Sequence, residues 1–200
     1  MKNLDAQTIE QALTDLGERL ALRGLGPYHL VVCGGAALIV SGLVSRLSTR
    51  DVDVVAMMDG SGLISPDPFP EDLQREAEIV RANLDLPEDW INNGPSRDPG
   101  GLYQVGLPEG LETRLQRRAY GERLTVHYIS RLDQIHLKVY ASADSGPGRH
   151  VEDLKHLAPT AGEIEQGARW AMTQDPSDGF GMILQSMLKQ MGFDDVADRI

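Results

Sequence analysis

The sequence predicts an α+β fold: a small mixed sheet with flanking helices over residues 1–129, followed by a helical region over residues 130–200. Three observations carry this prediction. Short β-branched runs bounded by glycine and proline occur in the first part. Apolar residues recur at steps of three and four, the spacing of one helical face. After Ile129 only helical patterns remain. The composition of this 200-residue chain, 41% hydrophobic and 24% charged, is that of a globular protein with a real core.

Ile9, Leu13, Leu16 and Leu20 mark the first helix, which Asp5 can cap and Gly24-Leu25-Gly26-Pro27 ends. Residues 28–32 read as a short buried strand. Gly34-Gly35 follows at once, then a short helix over 36–44. Residues 51–57 form a second strand, and the Gly- and Pro-rich stretch 59–70 a loop. A helix over 70–84 places Leu73, Ala77, Val80 and Leu84 on one face, and 92–101 is a long irregular loop. Residues 123–129 alternate as in a half-buried strand. Ser130 with Asp133 gives a capping-box start to a helix running to residue 141. Residues 145–148 break the chain, and 149–157 are helical again. Thr160 and Glu163 repeat the capping signature before another helix, and the last twenty residues read as helical.

Charge narrows the function classes. Nineteen basic residues stand against 30 acidic ones, a net charge of -11, so the chain as a whole repels polyphosphate. The exception is 111–150, where Arg114, Arg117, Arg118, Arg123, Arg131, Lys138 and Arg149 outnumber the acids. They are either solvated helix faces or a local anion site. Cys33, the single cysteine, excludes an internal disulfide framework and a Cys-based zinc finger; in a buried strand it reads as a packed thiol. No signal-peptide pattern opens the chain, and its most apolar run, 30–44, is too short to span a bilayer. The expected compartment is cytoplasmic, with no membrane partner. Neither a P-loop, a G-x-G-x-x-G nor an H-E-x-x-H motif is present. His150 and His156 read as surface residues, and Trp90 and Trp170 as core or cap contacts.

Two short stretches carry chemistry. Asp51 and Asp53 alternate with Val52 and Val54, so on a strand both carboxylates face one way. Such a pair repels itself unless a hard divalent cation lies between. Gly34-Gly35 after a strand lets backbone N–H groups approach a phosphate closely. Singly, these features are also those of a solvated strand rim and a tight turn. Together they are the equipment of phosphoryl or nucleotidyl transfer.

The blocks Cys33-Gly34-Gly35-Ala36-Ala37 and Arg46-Leu47-Ser48-Thr49-Arg50-Asp51-Val52-Asp53-Val54 resemble the minimal nucleotidyltransferases of the DNA polymerase beta superfamily. Within it the chain looks most like the abortive-infection nucleotidyltransferase toxins and their relatives. Residues 129–141 with Lys138, the following Arg149 and Val151-Glu152-Asp153-Leu154, and Pro87-Glu88-Asp89-Trp90-Ile91-Asn92 are similar to further segments of that branch. The resemblance implies a nucleotidyltransferase-type fold and Mg²⁺- or Mn²⁺-dependent transfer of a nucleoside monophosphate from an NTP. The acceptor would be a tRNA, a protein or a small molecule such as an aminoglycoside. It also implies a toxin–antitoxin or phage-defence setting, with a cognate antitoxin or toxin as partner. By the same resemblance Asp51 and Asp53 bind the metal, Gly34, Gly35 and Arg50 the nucleotide, and Lys138 the triphosphate. Asp153 is the accompanying carboxylate; it and Asp53 both stand open as the base. Two departures support an alternative, a non-catalytic binding or antitoxin-type module of the same fold. Gly35 and Ala36 stand where many members place a serine, and 123–128 offers His127 in place of a third carboxylate. Lys138 can also be a surface lysine, and Asp153 an intrahelical partner of Arg149.

Overall fold

The structure is a computed structural model describing residues 3–44, 48–97, 99–146 and 148–200. Arg46 and Leu47 of the turn before Asp51, Asp98 of the irregular loop and Pro147 of the break before Arg149 lie outside the described residues. The fold is mixed α+β, a six-stranded mixed sheet with flanking helices and further helices at the C-terminal end. The chain divides into two compact units, Met1–Ser130 and Arg131–Ile200.

In the first unit, α1 (Ala6–Arg23) starts where the Asp5 carboxylate accepts the Thr8 N–H at 2.8 Å, and ends at Gly24 in the left-handed region. Its Ile9, Leu13, Leu16 and Leu20 are fully buried, the face their spacing predicts. β1 (Tyr28–Cys33) passes directly into α2 (Gly34–Val40). This helix starts two residues earlier than expected, because Gly34 at φ +67 turns the chain out of the strand, and stops at Ser41-Gly42. β2 (Val52–Asp59) turns into β3 (Gly62–Ile64), where the Asp59 carboxylate accepts the Ser61 N–H and hydroxyl. That hairpin replaces the start of the expected loop over 59–70. α3 (Glu71–Leu84) buries Leu73, Ala77 and Val80 as predicted, and also Glu76, which pairs with Arg19 of α1 at 2.7 Å.

The expected loop 92–101 is more ordered than its composition suggests. β4 (Ile91–Asn92) and a 3₁₀ turn (Gly94–Ser96) precede α4 (Leu102–Val105). Ser96 is fully buried, donating to the Val55 carbonyl at 2.6 Å. A second 3₁₀ turn (Leu111–Arg114) leads into β5 (Gln116–Ala119) and β6 (Leu124–Tyr128). All five β6 residues are buried, so this strand is covered on both faces and not half-buried as its alternation suggests. The sheet order is β3-β2-β1-β6-β5, with β4 also beside β2. β1 runs antiparallel to β2 and parallel to β6. The core of this unit joins α1 and α3 to one sheet face through Leu13, Leu16, Leu30, Val54, Leu73 and Val126.

The second unit is built around α5 (Arg131–Asp144), which runs three residues past its expected end and buries nine of its 14 residues. α6 (Arg149–Leu157), α7 (Ala161–Gln174) and α8 (Asp178–Gln190) pack on it, and α9 (Asp194–Ala197) closes the chain. The capping box at Thr160 and Glu163 is present. Glu163 also takes Arg131 Nη1 at 2.5 Å. That Arg131 bond, and then the Thr160 N–H, hold its carboxyl down at about 2. A depressed folded-state value stabilises above the unfolded value and loses that stability as pH falls from about 4.5 toward about 2. Glu163→Gln keeps the cap but loses the charge, so it is expected to cost about 1–2 kcal/mol at pH 7 after allowance for solvent screening. Urea midpoints of variant and wild type should converge only as the pH falls to about 2. No helix among the described residues is long and apolar enough to cross a membrane.

Candidate functional site

The β1–β2 register brings the two sequence blocks together. Cys33 pairs with Asp53 across the antiparallel strands, so Gly34 stands beside the Asp53 carboxylate. A Cβ placed on Gly34 would lie 2.5 Å from Asp53 Oδ2, and the residue's φ of +67 already disfavours any side chain. The glycine is therefore fixed by two constraints, a left-handed turn and a carboxylate against its α-carbon. Asp51 and Asp53 are half-buried, while Val52 and Val54 behind them are fully buried. Cys33 is buried, as expected of a packed thiol.

The far edge of β2 carries the part that sequence reasoning missed. β4 adds in parallel, with Val52 opposite Ile91 and Asp53 opposite Asn92. The Val52 N–H donates to the Trp90 carbonyl at 2.7 Å, and the buried Trp90 indole donates to the Ala77 carbonyl at 3.0 Å, which ties this edge to α3. Between the start of β2 and the 85–97 segment lies a cleft of about 840 Å³. Arg50, Asp51, Asp85, Glu88, Asp89 and Arg97 line it with Asn92. Asn92 is turned into its own loop, its Oδ1 accepting the Gly94 N–H at 2.7 Å and its Nδ2 donating to the Asp89 carbonyl. Asp85 and Asp89 both adopt positive φ, which aspartate tolerates better than most residues. The sequence signal for this wall was the cluster of acids about Pro87, which periodicity cannot place.

Neither β4, which lies beside Asp53, nor β6, which lies one strand further on beyond β1, supplies a third carboxylate. β4 offers Asn92. β6 offers His127, whose Nε2 lies 3.4 Å from His29 Nδ1. Burial first, then His29 and Arg117, hold the His127 imidazole below its ordinary pKa. Among the described residues no group of three or more His, Cys, Asp or Glu side chains is gathered to hold a metal ion. Asp51 and Asp53 thus offer two carboxylates. That suits Mg²⁺, which keeps several waters and is held by one or two carboxylates with substrate phosphates.

Lys138 and Asp153 belong to the second unit. Lys138 is 6% exposed and Asp153 4%, and their Nζ and Oδ2 atoms are 2.8 Å apart. His150 Nδ1 stands 3.4 Å from the same ammonium, so His150 is not the plain surface residue its spacing suggested. Lys138 is likewise no surface lysine, and the partner that defines Asp153 is on α5. The basic residues of 111–150 are spread over several elements: Arg117 and Arg118 sit on β5, and Arg131 on α5 is engaged with Glu163.

No protein-family model matches the chain, and neither a curated protein nor a solved structure matches it.

Proposed function

We propose that the first unit is a nucleotidyltransferase site that moves a nucleoside monophosphate from an NTP to an acceptor. The observation that carries this reading is the seating of Gly34, at φ +67, directly against the Asp53 carboxylate. It sets side-chain-free backbone beside the Asp53 carboxylate, an arrangement that supports transfer of a charged phosphoryl group. Asp51 and Asp53 would hold Mg²⁺ or Mn²⁺, which when bound offsets phosphate charge. Gly34, half-buried, and Gly35, buried at the start of α2, would form the turn that faces the nucleotide. Arg50, which lines the cleft together with Asp51, has the planar fork that suits phosphate oxygens. Lys138 and Asp153 are left to a structural part, because their charges are spent on each other. The absence of a third carboxylate on β4 and β6 favours a second reading, a binding module of the same fold without turnover.

The test is thermal unfolding with millimolar Mg²⁺ or Mn²⁺ and each NTP, followed by labelled-nucleotide transfer to tRNA, protein and aminoglycoside acceptors. At a hundred times Kd a ligand adds about 2.7 kcal/mol, a readily measured shift in melting temperature. Asp51→Asn with Asp53→Asn should raise metal-free stability by removing repulsion, and should abolish both the shift and any transfer. A metal-dependent shift without transfer selects the non-catalytic reading. No shift in the wild type, or an equal shift in the variant, overturns the site itself.

A further inference from the structure

β5 ends the sheet. It pairs with β6 on one side, and among the described residues no strand lies on the other. All four of its residues, Gln116 to Ala119, are exposed. The phase of its ladder follows from one hydrogen bond, the Tyr120 N–H to the Leu124 carbonyl at 2.8 Å. Tyr120 and Leu124 continue the register in which Arg118 faces Val126 and Gln116 faces Tyr128. Bonded and non-bonded pairs alternate in an antiparallel ladder, so Gln116, Arg118 and Tyr120 turn their backbone groups toward β6. Arg117 and Ala119 turn theirs outward.

An edge of this kind is a template for one more strand. Its side chains say which strand. Arg118 is held by Glu10 of α1, whereas Arg117 projects from the edge with no acidic partner of its own among the described contacts. A second copy of the chain is disfavoured, because antiparallel β5–β5 pairing sets arginines against arginines. A nucleic acid would bring a charge on every nucleotide to a chain of net charge -11. A short peptide that alternates acidic and apolar residues brings a charge only at every second position, together with the backbone groups that pair with the edge. We propose that β5 is a docking edge for an extended acidic segment of another protein, added as a strand through the outward groups of Arg117 and Ala119 with carboxylates beside Arg117.

The experiment is fluorescence anisotropy with a labelled, capped octapeptide of alternating glutamate and valine, on the full chain at low and physiological salt. Binding is expected, weakening with salt, together with slowed amide exchange at Arg117 and Ala119. Arg117→Glu should weaken it by at least about tenfold, the effect of one charge-assisted contact. Ala119→Pro removes an outward N–H and spares the β6 ladder, so it should weaken binding similarly with an unchanged circular dichroism spectrum. If that variant misfolds, a peptide N-methylated at alternate residues makes the same test on the wild type. The proposal is overturned by no binding, by wild-type affinity in Ala119→Pro or of the N-methylated peptide, or by a lysine–valine peptide or single-stranded oligonucleotide binding as well.

Discussion

Lys138→Ala is expected to destabilise the second unit by about 3–5 kcal/mol, the cost of leaving one member of a buried ion pair without the other. Asp153 is 4% exposed and depends on the Lys138 ammonium at 2.8 Å. Removing the lysine also leaves a void against α6, because the whole Lys138 side chain is buried. Asp153→Asn should cost less than Lys138→Ala, since the amide keeps an acceptor for Nζ. Replacing both, Lys138→Met with Asp153→Leu, should recover most of the loss, because attraction between buried charges is offset by their desolvation. Urea unfolding followed by far-UV circular dichroism measures all three. A loss under about 1 kcal/mol in Lys138→Ala, with NTP affinity reduced, would instead return Lys138 to the role of triphosphate contact.

The second large effect is at Gly17, in the middle of α1. Alanine in an exposed helix interior gains about 1 kcal/mol over glycine. Here the sign reverses, because a Cβ on Gly17 would lie 1.8 Å from the Tyr120 carbonyl oxygen. That backbone has nowhere to go. The Tyr120 N–H is bonded to Leu124, and the Tyr120 hydroxyl is bonded to Tyr128 at 2.7 Å. Gly17→Ala therefore forces α1 off the sheet or breaks the β5–β6 turn, at an expected cost of about 3 kcal/mol. Gly162→Ala in α7, where nothing lies within 4 Å of the new Cβ, is the matched control, expected to be neutral or stabilising. Equal stability of the two variants would mean that α1 yields freely.

Elements set by local chemistry were legible in the sequence. The Asp5 cap, the apolar face of α1, the ends of α6 and the Thr160–Glu163 box all rest on residues within four positions of one another. β4 and β5 were not legible. Two residues, Ile91-Asn92, carry no period, and Gln116-Arg117-Arg118-Ala119 is exposed throughout and has no apolar alternation to read. Buried charges were missed for a related reason: Glu76 is covered through Arg19, and Lys138 through Asp153, partners that only the fold selects. At the candidate site the order Gly-Gly then Asp-x-Asp stood in the sequence. Their contact depends on the β1–β2 register, and the acidic wall of the cleft on a two-residue strand.

The parallel pairing of β1 with β6 fixes when the first unit can fold. His29 and His127, which meet across these strands, are 98 residues apart in the chain. Contacts of such separation form late, because a long loop must close before they return any stability. During synthesis the chain up to α4 holds α1, the antiparallel β1–β2 pair and α3, yet β1 has one bare edge carrying Leu30, Val31 and Val32. Until Tyr128 has left the ribosome, that edge is open to any other strand in reach. A nascent chain halted between α4 and β5 is thus the aggregation-prone form of this protein, and the last five-residue strand of the sheet is what ends that exposure.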